Sequence, residues 1–167
     1  MSMRAEKLLV ISQFLSAYPE MFDYIHDIRD NVTIPSGKIT DIVRYEGMVG
    51  LLIDAKIKVT SPDILFRFTI DADTFEVTPR AIWEESLGRE ERRLFRVLRY
   101  DPDYKLFIGG LCPDPLYPIT EKILVTLSNA TEEDVVASWH IFLMKFTDKL
   151  RSLLEEVLEE EKEVEGA

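Results

Sequence analysis

The stretch EKILVTLSNATEEDVVASWHIFLMKFTDKLRSLLEEVLEEEKE, residues 121–163, decides the fold. From Glu121 to Phe142 it reads as a β-hairpin. Ile123, Val125 and Leu127 share one face, residues 129–134 turn the chain, and Val135, Ala137, Trp139 and Ile141 point away from Val136, Ser138, His140 and Phe142. From Lys145 to Glu163 the period becomes that of a helix, with Phe146, Leu150, Leu153, Leu154, Val157 and Leu158 on one face. A helix with such a stripe needs a sheet to lie on. The expected class is therefore α+β, a curved antiparallel sheet wrapped around a long C-terminal helix, with function in whatever space separates the two.

Moving outward, Ile53, Ala55, Ile57 and Val59 alternate with Asp54, Lys56, Lys58 and Thr60, the pattern of a strand with one wet face. After the turn Ser61-Pro62-Asp63, Ile64, Phe66, Phe68 and Ile70 alternate in the same way and read as its antiparallel partner. Phe75, Val77, Ala81 and Trp83 continue that period, with Pro79 marking an edge or a bulge. Residues 84–93 read as a charged loop containing Gly88. Leu94–Gly110 reads as a hairpin about Asp101-Pro102-Asp103.

Toward the N-terminus, Lys7–Ser16 is apolar on both parities and fits a buried strand or a helix. Pro19 then opens a short predicted helix over Glu20–Arg29, with acids Glu20 and Asp23 in its first turn and Phe22, Ile25 and Ile28 on one face. Ile34-Pro35-Ser36-Gly37 is a loop.

Composition narrows the classes. A chain of 167 residues with 46% hydrophobic side chains is expected to form one domain, here 1–160, followed by an acidic tail at 161–167 that the wrong-signed glutamates fray. No apolar run approaches the ~18 residues a membrane-spanning helix needs. The start lacks a cleavage site and reads as structural, so the expected location is cytoplasmic. A net charge of −11 with interleaved bases argues against nucleic acid. A single cysteine, Cys112, makes no internal disulfide. Only three amide side chains, Gln13, Asn31 and Asn129, accompany 31% charged residues, a thermophile tendency.

Three segments, Ala17–Ile25 with Asp27, Phe95–Pro102 with Leu106, and Val135–Leu158, together resemble the helix-grip superfamily of START-related lipid-transfer domains, polyketide cyclases and pollen-allergen proteins. The Ile34–Gly37 loop is similar to that of the branch containing an accessory protein of carbon-monoxide dehydrogenase. The resemblance implies a cavity between sheet and terminal helix that holds an apolar or amphipathic small molecule.

On that expectation Phe66, Phe68, Trp83, Trp139, Phe146, Leu150, Leu154 and Val157 form the cavity wall, against the alternative of a filled core. Arg99, which shares parity with Phe95 and Val97, Tyr104 and His140 are the polar anchors. His26 and His140 are the only histidines, too few for a histidine-rich zinc site, and no catalytic motif or cofactor loop stands out. The expected function is carriage of a hydrophobic, lipid-like molecule, with a homo-oligomer left open. Its rivals are an interaction or complex-assembly module with a filled core, and a cyclase-type enzyme, which would need an inward acid-base group such as His140.

Overall fold

The computed structural model describes residues 3–86, 95–113 and 116–165. Helix α1 spans Met3–Ala17, so the ambiguous N-terminal run is helical, and Pro19, which lacks an N–H, lies just beyond its end. Strands β1 (Phe22–Ile34), β2 (Ile39–Glu46), β3 (Gly50–Val59), β4 (Leu65–Ile70) and β5 (Asp73–Val77) follow. Then come helix α2 (Pro79–Ser86), strands β6 (Phe95–Asp101), β7 (Leu106–Leu111), β8 (Tyr117–Ile119), β9 (Lys122–Ser128) and β10 (Val135–Phe146), and helix α3 (Asp148–Glu165). The α+β class holds, with antiparallel sheets and three helices among the described residues.

The strands divide between two sheets, where the sequence led us to expect one. Sheet A runs β1-β10-β3-β7-β6, with β8 also on β3, and sheet B runs β2-β9-β4-β5. With β6 and β8 set aside, sheet A takes the first, eighth, third and sixth of the remaining strands, and sheet B the second, seventh, fourth and fifth. That order is the double Greek key of a jelly roll. Two expected hairpins are corrected by it: β3 and β4 lie in different sheets, and so do β9 and β10. A strand with one apolar face can bury it against the facing sheet, so alternation alone does not name the strand beside it. The β6–β7 hairpin forms as expected.

Two local expectations also change. The segment 20–29 is the start of β1, not a helix, because pairing along β10 from Phe22↔Phe146 to Ile34↔Val135 outweighs the proline and first-turn acids. Ala81 and Trp83 sit on α2, not on a continued strand. Thr78 caps that helix, its Oγ1 accepting from the Ala81 N–H at 3.1 Å, and Pro79 takes the first helical position. The charged loop expected beyond Ser86, the strand start at Leu94, and the side chain of Leu158 lie outside the described residues, as do the side chains of the tail.

The main core is the space between the sheets. Ile57, Leu111, Ala137, Ile141 and Leu143 from sheet A meet Phe66, Phe68, Ile70, Ile123, Val125 and Leu127 from sheet B, all fully buried. A second cluster joins Ile11 of α1 to Leu150 and Leu154 of α3, with Val49, Leu51 and Phe146 beneath them. Thus α1 and α3 share one apolar cluster with Leu51 of β3 and Phe146 of β10.

Asp71 fastens these parts together. It stands at a φ of 53° in the turn between β4 and β5. Its carboxylate accepts from the backbone N–H groups of Thr120, Glu121 and Lys122, from Thr120 Oγ1, and from Lys7 Nζ of α1 at 2.8 Å. Burial alone would raise its pKa, but the hydrogen bonds from Lys7 and the three amides outweigh it and hold the carboxyl below the usual range.

Candidate functional site

Each expected wall residue can be placed, and they do not meet around one space. Phe66 and Phe68 on β4 are fully buried between the sheets, and Trp139 points inward from β10 with its indole N–H donated to Asp27 Oδ1 at 3.1 Å. Phe146, Leu150 and Leu154 belong to the separate cluster under α1. Val157 and Trp83 are both 36% exposed, Trp83 stacking on Tyr100 at a centroid distance of 5.1 Å.

The expected polar anchors all face solvent. A register shift between Val97 and Arg99 turns Arg99 outward, where it sits 3.6 Å from Asp101. Tyr104 lies in the β6–β7 turn, 80% exposed. His140 alternates with the buried Trp139 and Ile141 and so emerges on the outer face of sheet A.

That outer face gathers the most distinctive side chains of the chain. Pairing sets Ile28 beside His140, His140 beside Lys56, Lys56 beside Gly110, and Gly110 beside Arg96, one row across five strands. In the next row His26 pairs with Phe142 and Phe142 with Asp54, which accepts from Cys112 Sγ at 3.4 Å. The two histidines, 114 residues apart in sequence, meet with Nδ1 of His26 2.9 Å from Nε2 of His140. At that distance one ring donates an N–H and the other accepts it. Phe142 stacks on His26 at 4.2 Å and 12°, Tyr24 lies 5.5 Å from Phe142, and Phe22 meets Tyr24 edge-on. The result is a continuous aromatic strip from Phe22 to His140, with Tyr24 and Ile28 each 57% exposed beside it.

Chemically this face is suited to binding. Burial, and then the negative charge of Asp54, push the Cys112 thiol above its ordinary pKa, so it is a protonated neighbour and not an activated nucleophile. Among the described residues no group of three or more His, Cys, Asp or Glu side chains is placed to hold a metal ion, and no helix is long and apolar enough to cross a membrane. The sequence pattern does not disclose His26, because helix-start signals over 20–29 mask its alternation with Ile25 and Asp27. No protein-family model matches the chain, and neither does any curated protein.

Proposed function

We propose that this chain is an interaction module, a jelly-roll subunit that binds another protein through the outer face of sheet A. The observation that carries this reading is an inversion. The apolar faces that could have enclosed a ligand close on one another, while aromatic and histidine side chains gather on the side turned to solvent. Jelly rolls serve shells, lectins and enzymes alike, so the fold does not choose among functions and the face must. Aromatic side chains with polar tips, in a contiguous patch, are the usual chemistry of protein recognition.

The carrier reading, together with the helix-grip kinship behind it, draws support from the α+β class and the long terminal helix. It requires room beneath α3, whereas Leu150 and Leu154 of that helix are each no more than 2% exposed and cluster with Ile11, Val49, Leu51 and Phe146. Native mass spectrometry of the purified chain, with a thermal-shift panel of fatty acids and isoprenoids, separates the two. The module reading expects ligand-free chain, alone or in whole multiples of its mass, and no shift. A retained lipid, or a saturable rise in melting temperature with any of these ligands, overturns it.

A further inference from the structure

We infer that the outward edge of β1 pairs with β1 of a second copy of this chain, antiparallel and centred on His26, joining two copies of sheet A across a two-fold axis. This rests on the reading of sheet A as a protein-binding element, and assigns the β1 edge that adjoins its aromatic face to a second copy.

β1 ends sheet A, and among the described residues it is paired only on the β10 side. An edge strand presents a row of backbone donors and acceptors ready to pair with another chain, and proteins that stay monomeric blunt such edges. Among the described residues the other terminal strands of the two sheet paths are interrupted or short. β6 carries the bulge at Val97/Arg99, β2 is irregular between Asp41 and Val43, and β5 is five residues long, running directly into α2. β1 differs. From Phe22 to Arg29 it matches β10 residue for residue, and its irregularity comes only afterwards, where Asn31 adopts a φ of 53°. That run contains neither proline nor lysine, and its charges Asp23, Asp27 and Arg29, which share the parity of the inward Ile25, are what a partner strand must match.

Residues opposed across an antiparallel pair share a face, so a two-fold self-pairing must be centred on a residue. Centring on Ile25 would set Asp23 against Asp27. Centring on Asp27 would set that carboxylate against itself. Centring on His26 sets Asp23 against Arg29, Tyr24 against Ile28 and Ile25 against Asp27, each twice by symmetry. It thus gains two opposite-charge pairs and two aromatic–aliphatic pairs, the kinds of cross-strand pair that stabilise sheets. Tyr24 and Ile28 are among the largest apolar exposures in the chain, and this register places each beside the other's symmetry mate.

The test is sedimentation equilibrium of the full chain from micromolar to millimolar concentration, on the wild type, Asp23→Arg, Arg29→Asp and the Asp23→Arg/Arg29→Asp double variant. Both positions are exposed, so all four proteins should melt within a few degrees of one another. The expected result is a species of twice the 19.4 kDa chain mass, weakened at least about tenfold by either single reversal and restored by the double swap. A wild type that stays monomeric throughout overturns the inference, as does a dimer indifferent to the single reversals or unrepaired by the swap. If such a chain is also free of apolar ligand by mass spectrometry, the self-pairing fails alone and the module reading stands. If it carries lipid, the module reading has failed as well.

Discussion

The two outward faces of this sandwich differ sharply, although both rest on the same core. The face of sheet B carries ion pairs and hydroxyls, with Ile39 exposed alone at the start of β2. Arg44 meets Asp41 at 3.1 Å, Arg67 meets Glu76 at 2.7 Å, and Thr69 lies opposite Thr74. Exposed pairs of this kind are worth about 0–1 kcal/mol each, and their main effect is to keep a surface wet and unattractive to other proteins. The face of sheet A at β1 and β10 carries Phe22, Tyr24, Ile28, Phe142 and the histidine pair instead. Phe22 packs against the cluster of α1 and α3, but Tyr24, Ile28 and the histidine pair stand exposed, so burial in the interior does not account for them. Single exposed apolar residues are ordinary, whereas a contiguous strip of them at a sheet edge is the ground on which we propose a partner.

The largest expected effect tests the core beneath both faces. Phe66→Ala should lower stability by about 3–5 kcal/mol in urea denaturation, because Phe66 is fully buried where the sheets meet. A loss under about 1 kcal/mol would mean a loose interior of the sort a carrier needs, and would undo the contrast between a closed inside and a working outside.

Asp71→Asn should cost about 3 kcal/mol at neutral pH, since it removes a buried carboxylate from Lys7 and three amide donors. The sign of its pH dependence follows from the lowered native pKa. The stabilisation is present above the unfolded-state value of about 3.9 and is lost as pH falls through the native one. Acid titration of wild type and variant should therefore converge at low pH. Asp71 belongs to neither outer face, so this variant should leave self-association unchanged, and a change would blur the distinction between the faces.

The next effects bear on the faces themselves. Ile28→Lys should weaken association by at least about tenfold while shifting stability by no more than about 0.5 kcal/mol. Its counterpart on the other side, Arg67→Ala, should change stability by at most about 0.5 kcal/mol and association not at all. Equal effects of the two on sedimentation would show that the faces are not functionally distinct.

Much of the secondary structure is legible in the sequence, and its arrangement is not. The alternation of Ile53–Val59 and Ile64–Ile70, the hairpin about Asp101-Pro102-Asp103 and the terminal helix stand in the structure where periodicity puts them, within a few residues. Alternation reports that a face is buried but not against what. Hence β3 and β4, adjacent in sequence and alike in pattern, look like partners although each belongs to its own sheet. At 20–29 the helix-start signals are real and lose to long-range pairing with β10. At Thr78-Pro79 a helix-start signal is equally plain, yet the apolar period running through it reads as a broken strand.

The site is less legible. His140 draws attention as an inward anchor, and its partner His26 lies 114 residues earlier in a strand with the outward marks of a helix. No local spacing links them. Only the order of strands, which sets β1 beside β10, brings the two rings together.

Amide hydrogen exchange of the full chain at several protein concentrations addresses edge recognition by β1 most directly. Self-pairing through β1 predicts that protection at Phe22–Arg29 rises with concentration while β2, β5 and β6 exchange at a constant rate. Exchange at β1 that is independent of concentration, or protection that rises instead along the edges of sheet B, would contradict it.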